Sequence, residues 1–196
     1  MFTGLLDTCV LWPSTQRDFL LSLAIEGMYR PVWSSAILAE LEEHEAIKLV
    51  RAGLPQRVAA ERAGRLIATM RSTFIDAETQ GWEPLEGTFG LPDIDDEHVV
   101  AAAVIAGAGA IVTHNVKDFP TSQVPSTVQV LTPSVFAYNT VTLGPARAVR
   151  AIHAMASRSG RKGPIRTTGE VLDILEHRYA MTEAVAMLRE VVNQGP

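Results

Sequence analysis

The stretch LPDIDDEHVVAAAVIAGAGAIVTHNVKDFP, residues 91–120, decides how the chain is interpreted. Four acids lie within its first seven residues, and Asn115 and Asp118 follow the apolar run in its middle. That apolar run predicts a helix beginning near Glu97 and a buried strand ending near Thr113. The polar residues therefore flank a helix and strand that belong to the core.

The composition is that of an ordinary globular protein. The chain has 196 residues, of which 47% are hydrophobic and 20% charged, enough for a real core. Charges or glycines interrupt every apolar run before it reaches transmembrane length. The N-terminal stretch has no basic segment and carries Asp7, which is not typical of a signal peptide. Cys9 is the only cysteine, which excludes an internal disulfide and a cysteine zinc site. We expect a cytoplasmic protein that does not engage a membrane.

Strand and helix patterns alternate through the first part of the chain. The segments FTGLLD, RPVWS, GAIVTHN and TVQVLT have strand patterns, and helical patterns separate them. This alternation predicts an α/β domain with a central parallel sheet. After Gly144 only helical patterns remain. We therefore predict one domain over residues 1–140 and a helical C-terminal extension over residues 141–196, with the basic linker SRSGRKGPIRTTG inside it.

Several polar residues have positions that a parallel sheet would bring to one edge. They are Asp7, Glu40, Asp93, Asp96, Asn115 and Asp118. Asp7 ends the first predicted strand, Glu40 lies in the second turn of the helix after the second strand, and the others surround the third. In parallel α/β sheets, ligands bind outside the carboxyl ends of the strands. The pattern thus predicts that acids from four segments approach one edge.

Such a cluster suits a hard divalent cation. Neighbouring carboxylates repel and shift each other's pKa values, and Mg²⁺ or Mn²⁺ relieves this by taking one or two carboxylates while keeping several waters. A site of this kind supports phosphodiester hydrolysis. An acid can also stand at the start of a helix simply because the positive end of the helix dipole favours it. This explanation applies to Asp95 and Glu97, and we expect Glu97 to be solvated. It fits Asp7 poorly, because a carboxylate closing a buried strand is costly unless paired or metal-bound.

Four motifs in order resemble those of the PIN domain, most closely the VapC-type toxins. They are LLDTCVL, SSAILAELEE, LPDIDDEHVVAAAVIAGA and IVTHNVKDFP. The resemblance covers about residues 1–140 and implies a three-layer α/β/α fold with metal-dependent endoribonuclease activity. It also implies the toxin role in a type II toxin–antitoxin pair, with a small antitoxin protein as partner and a possible homodimer.

The resemblance also implies a set of metal-binding residues. They are Asp7, Glu40, Asp93, Asp96, Asn115 and Asp118. Of these, Asp7, Glu40 and Asp96 match the catalytic acids of the family. Many relatives have Asp where this chain has Asn115. Either Asn115 binds the metal through its carbonyl oxygen, or Asp118 takes its place.

The net charge of −5 is unevenly distributed along the chain. Residues 1–118 carry 9 basic and 17 acidic side chains, whereas residues 119–169 carry 6 basic side chains and no acid. An acidic body repels a polyanion, so an enzyme that cuts RNA needs local positive charge. We predict that an RNA-binding surface is formed by Arg147, Arg150, Arg158, Arg161, Lys162 and Arg166.

Two other functions fit parts of the pattern. A HAD-type phosphatase would also have an Asp at the end of the first strand, but it normally has a second Asp two residues later, where this chain has Cys9. A non-catalytic PIN-fold module would bind RNA or protein without chemistry. Retention of Asp7, Glu40 and Asp96 argues against that module.

Other polar and aromatic side chains have weaker functional indications. Thr8 and Thr113 either orient a ligand or serve as turn residues. His98 and His114 are expected at the surface or behind the ligands, because hard oxygen sites rarely use imidazole. Cys9 is expected in the core. Packing, rather than base stacking, is also expected of Trp12, Trp33 and Trp82.

Overall fold

The computed structural model describes residues 1–160 and 163–194. Its strands are β1 (Thr3–Leu6), β2 (Arg30–Ser34), β3 (Glu78–Thr79), β4 (Ala110–Val112) and β5 (Gln129–Leu131). They form one parallel sheet in the order β3-β2-β1-β4-β5. The predicted three-layer α/β/α fold with additional C-terminal helices is confirmed.

Helices make up most of the rest of the described chain. They are α1 (Thr8–Leu11), α2 (Ser14–Ile25), α3 (Ser35–Arg51), α4 (Gln56–Thr73), α5 (Glu97–Ala106), α6 (Pro133–Thr142), α7 (Pro145–Arg158), α8 (Thr168–Tyr179) and α9 (Thr182–Gln194). Short 3₁₀ turns occur at Glu83–Leu85, Ile94–Asp96 and Val116–Asp118. None of the helices in the described residues combines the length and the apolar character needed to cross a membrane.

Local signals fix the helices that carry the polar residues of interest. Ser34 ends β2 and caps α3, because its side chain accepts a hydrogen bond from the Ile37 N–H at 3.1 Å. The chain thus passes directly from a buried strand into the helix that carries Glu40. The C-cap of α5 is Gly107, whose φ of 62° is a left-handed conformation that favours glycine and stops the helix.

The register of β1 and β4 determines which residues meet beyond the sheet. Leu6 lies opposite Val112, so Asp7 and Thr113 follow their strands at the same level. The Asp7 N–H donates to the Val112 carbonyl at 3.1 Å and extends the pairing by one residue. The carboxyl ends of two neighbouring strands therefore place two polar side chains next to each other.

The chain divides into two compact units that do not follow sequence order. The sheet unit consists of Thr3–Trp12 and Pro31–Val130 and contains nearly all of the sheet with α1 and α3–α5. The helical unit consists of Met1–Phe2, Pro13–Arg30 and the described part of Leu131–Pro196. The division into residues 1–140 and 141–196 stays a prediction.

Each unit has its own apolar core. In the sheet unit the fully buried side chains come from the strands and from the faces of α3 and α5, among them Leu5, Trp33, Leu41, Val100 and Ile111. In the helical unit, α2 packs against α7 and α8, and α6 packs against α9. The fully buried side chains there include Phe19, Leu23, Ile152, Leu175 and Leu188.

Candidate active site

Asp7 lies just beyond β1 and is held by its neighbours. Its Oδ2 accepts a hydrogen bond from the Thr113 hydroxyl at 2.7 Å and another from the Cys9 thiol at 3.0 Å. Burial, and then the charge of Asp7, raise the pKa of Cys9 to about 12, which keeps the thiol protonated as a donor. These hydrogen bonds explain how a buried carboxylate is tolerated at the end of a core strand.

Glu40 is fixed at both carboxylate oxygens. Thr8 Oγ1 donates to Oε2 at 2.5 Å, and His98 Nε2 lies 3.1 Å from Oε1. Burial alone would raise the pKa of Glu40, but the hydrogen bonds from His98 and Thr8 and the charges of His98 and His44 hold it below its ordinary value. Burial would lower the pKa of His98, but its interaction with Glu40 raises it overall. Glu40 is therefore kept ionised and oriented.

Asp96 ends a 3₁₀ turn and stands at the start of α5 without capping the helix. Burial raises its pKa to about 6, and the charges of Asp7, Asp93 and Asp118 add to the effect, while His98 opposes it. These charges act on Asp96 only from within electrostatic range, and Asp7 and the turn with Asp118 both follow the neighbouring strands β1 and β4. The structure thus brings Asp7, Asp93, Asp96 and Asp118 to one region of the sheet unit.

Asn115 and Asp118 lie on a turn that leaves β4. The Asn115 N–H donates to Thr113 Oγ1 at 3.0 Å, so the same hydroxyl that contacts Asp7 also anchors this turn. The Asp118 N–H donates to the Asn115 carbonyl at 2.8 Å. The charge of Asp118 reaches Asp96, which makes Asp118 part of the electrostatic cluster. Which of the two would bind a metal stays a prediction.

Comparison with protein families decides the assignment of the fold. The model of the PIN domain matches residues 4–117, which is more than half of the chain. The chain belongs to the PIN domain family. The matched range contains Asp7, Glu40, Asp96 and Asn115. PIN domains are typically metal-dependent nucleases, so this is a nuclease fold. No curated protein and no solved structure matched the chain.

Glu97 of this PIN domain contradicts the expectation of a solvated residue. Its side chain is only 2% exposed, and it accepts hydrogen bonds from the N–H groups of Phe89 at 2.9 Å and Leu91 at 2.7 Å. Burial would raise the pKa of Glu97, but the backbone N–H groups of Leu91, Phe89, Gly90 and Gly87 hold it below the ordinary value. The expectation was wrong because those donors come from the preceding loop, which has no periodic pattern.

Four side chains around the acids contact them directly, although only weak functional roles were predicted for them. Thr8 and Thr113 contact Glu40 and Asp7 directly, and His98 is buried against Glu40. Cys9 is half-buried and bonded to Asp7 rather than simply packed. The signal available in the sequence was proximity, because Thr8 and Cys9 follow Asp7 within two residues and His98 follows Asp96 by two.

The donor set at the sheet edge fits a hard cation. It consists of carboxylates, whose oxygens are the ligands that Mg²⁺ and Mn²⁺ prefer, with Asn115 on the adjoining turn. The carboxylates act on Asp96 with His98 as the opposing charge. Among the described residues, three His, Cys, Asp or Glu side chains have ligand atoms within 4.8 Å of one another only at Asp173, Glu176 and His177, so no three acids of the sheet edge gather that closely. The sheet edge therefore suits a cation held by one or two carboxylates and water.

The group on α8 has a different explanation from the sheet edge. Arg189 donates to Asp173 at 2.6 Å and to Glu176 at 3.1 Å. The guanidinium already pairs with both carboxylates, so this cluster is an ion-pair network between α8 and α9.

Two of the arginines predicted to bind RNA make ion pairs within the helical unit. Arg150 pairs with Glu26 at 2.9 Å, and Arg158 pairs with Asp18 at 2.8 Å. Arg158 is the last residue of α7 and not part of a linker. The acids that meet these arginines precede them by more than a hundred residues in the sequence. Part of the basic charge is therefore matched locally.

The other predicted RNA-binding residues differ in their surroundings. Arg147 donates to the Gly27 carbonyl at 3.3 Å and remains exposed. The backbone N–H of Arg166 donates to the Ser159 hydroxyl at 2.8 Å, which fixes the chain before α8. Arg161 and Lys162 lie outside the described residues. An RNA-binding role for this group stays a prediction.

Proposed function

We propose that this PIN domain protein is a metal-dependent endoribonuclease. One observation carries the proposal: the PIN domain match spans Asp7, Glu40 and Asp96, and the charges of Asp7, Asp93 and Asp118 all act on Asp96. Carboxylates that act on one another repel when they are ionised, and a divalent cation relieves the repulsion. The fold is that of a nuclease, and the phosphodiester linkage of RNA is the substrate that suits such a site.

The residues around the acids prepare them for this chemistry. Thr113 and Cys9 donate to a single oxygen of Asp7, which leaves Oδ1 free of those two donors. Thr8 and His98 orient Glu40. Mg²⁺ or Mn²⁺ would be held by Asp7 and Asp96, helped by Glu40, Asp93, Asn115 and Asp118. When bound, it would lower the pKa of water and neutralise charge developing on the phosphodiester.

Chelation and one pair of variants test the mechanism. We expect cleavage of single-stranded RNA by the purified protein to stop in EDTA and to return with Mn²⁺. Asp7→Asn and Asp96→Asn should each lower the rate by about a hundredfold or more, because each removes an anionic ligand. Asp95→Asn is the matched control, since Asp95 is exposed and one residue from Asp96. Cleavage that survives EDTA, or an equal loss in the Asp95 variant, would contradict this assignment.

We further propose that the protein is the toxin of a type II toxin–antitoxin pair, because its motifs resemble those of VapC-type toxins. Its partner would be a small antitoxin protein encoded next to it. Induced expression of the wild-type chain should arrest bacterial growth, whereas Asp7→Asn should not. Coexpression of the neighbouring small protein should restore growth. Growth unaffected by an active nuclease would remove the toxin role and leave the ribonuclease assignment in place.

A further inference from the structure

The three tryptophans, all within the described residues, differ sharply in exposure. Trp33 and Trp82 are 0% and 6% exposed, as expected of packing residues, whereas Trp12 is 41% exposed. An indole is a large apolar group, and leaving it partly in water gives up the stabilisation of burying it. Trp12 therefore calls for an explanation other than core packing.

Trp12 lies close in the chain to the acids of the sheet edge. Asp7 precedes the first residue of α1, and Trp12 follows the last, with its N–H donating to the Thr8 carbonyl at 2.9 Å. The five-residue step from Asp7 to Trp12 corresponds to about 7.5 Å along the axis of an α-helix. The hydroxyl of Thr8 in the same turn contacts Glu40. The indole is thus tied to both acids by a short, rigid segment.

A second ring extends this aromatic surface. The imidazole of His44 lies 6.2 Å from the Trp12 ring at an interplanar angle of 58°. His44 is four residues after Glu40 on α3, one helical turn further along the same face. The charge of His44 also contributes to the lowered pKa of Glu40, which places the imidazole within range of that acid.

We propose, on the basis of the ribonuclease function above, that Trp12 and His44 form a stacking site for an unpaired base of the RNA substrate. A strand whose phosphate lies at the acids would bring an adjacent base over this pair. Every base has an aromatic face, so the site would select single strands without selecting sequence. The uncharged indole of Trp12 also suits an acidic surface, because it attracts a base without adding to the repulsion of the phosphates.

Tryptophan fluorescence tests the site without cleavage. Because Trp33 and Trp82 are buried, acrylamide quenching reports mainly Trp12. In EDTA at low salt, a single-stranded RNA oligomer should bind and protect Trp12 from acrylamide. The same sequence annealed into a duplex should not protect it, and nor should an abasic oligomer of the same length. Binding that leaves the quenching unchanged, no binding, or protection by the abasic strand would overturn the proposal.

Self-association is the competing explanation for an exposed indole. If a second copy of the chain covers Trp12, the indole should already be protected from acrylamide at high protein concentration without RNA, together with a dimer in size-exclusion chromatography. That result would overturn the stacking site. Accessible Trp12 at all protein concentrations supports it.

Kinetics of three variants separate stacking from a structural role. Trp12→Ala should raise KM by about tenfold with little change in kcat, because stacking binds substrate and transition state alike. Trp12→Phe keeps a ring and should largely restore KM. Ile75→Ala removes another exposed apolar side chain of the sheet unit and is the control. Cleavage with unchanged KM in Trp12→Ala, or equal defects in the Phe and Ala variants, would overturn the stacking site and leave the nuclease standing. Failure of the wild-type chain to cleave would remove both.

Discussion

Asp96 shows how strongly the carboxylates at the sheet edge act on one another. Its pKa rises from 3.8 to about 6, first through burial and then through Asp7, Asp93 and Asp118. The unfolded chain releases this proton at a lower pH than the folded chain. Between the two pKa values the folded protein therefore binds more protons, and its stability without metal falls as the pH rises from about 4 to about 6.

Removing this carboxylate should stabilise the metal-free protein. In EDTA at pH 7.5, Asp96→Asn should raise the free energy of unfolding by about 1 kcal/mol, a value discounted because the side chain is half-exposed. For a chain of this size that corresponds to about 2–4 °C in Tm. The difference should shrink toward zero as the pH approaches 4. Urea or thermal unfolding measures it, and a destabilised variant at pH 7.5 would contradict the repulsion.

At the scale of elements, the sequence predicted the strands and helices that have a periodic or apolar pattern. The strands β1, β2, β4 and β5 and the helix α5 lie where their patterns indicate. β3 has two residues and α1 has four, too few for a pattern, and both escaped prediction. Asp7, Asp96 and Asp118 share an electrostatic cluster, because the parallel strands β1 and β4 end together and α5 begins beside them. The donors that hold Glu97 could not be predicted, since they are backbone N–H groups, which look the same in every residue.

The helix α5 also holds the loop before it through Glu97. Glu97→Gln replaces a carboxylate that accepts two backbone hydrogen bonds with an amide that has one acceptor oxygen. One N–H of Phe89 or Leu91 is then left without its partner, which costs about 1–3 kcal/mol. We expect lower stability and faster hydrogen exchange at these two amides. Asp95→Asn, in the turn just before α5, should change neither quantity. Unaltered exchange in Glu97→Gln would contradict the role of Glu97.

At the scale of the whole molecule, the charge asymmetry of the sequence is partly resolved by pairing. Arg150 and Arg158 meet Glu26 and Asp18, acids that lie 124 and 140 residues earlier in the chain. These charges lie in different segments of the sequence, but they form ion pairs in the folded helical unit. Local pairing of this kind cannot be predicted from composition, because it depends on which helices pack together.

The remaining basic charge can be tested with a double variant. Arg161→Ala/Lys162→Ala should weaken RNA binding at low salt and reduce the slope of log affinity against log salt by roughly 0.7 for each phosphate that the protein no longer neutralises. Metal binding should be unchanged. Arg150→Ala removes a partner of Glu26 and serves as the comparison, with a stability cost of about 0–1 kcal/mol. Binding and salt dependence equal to those of the parent protein would assign these residues another task.

The early position of α2 affects how the chain is made on the ribosome. This helix packs against α7 and α8, whose residues are synthesised more than a hundred positions later. At ordinary rates of translation, the apolar face that includes Phe19 and Leu23 waits on the order of ten seconds for its partners. During that interval the apolar face of α2 is exposed to solvent, so we expect chaperones to bind the nascent chain there. A fragment that stops before α7 would keep the same exposed face permanently.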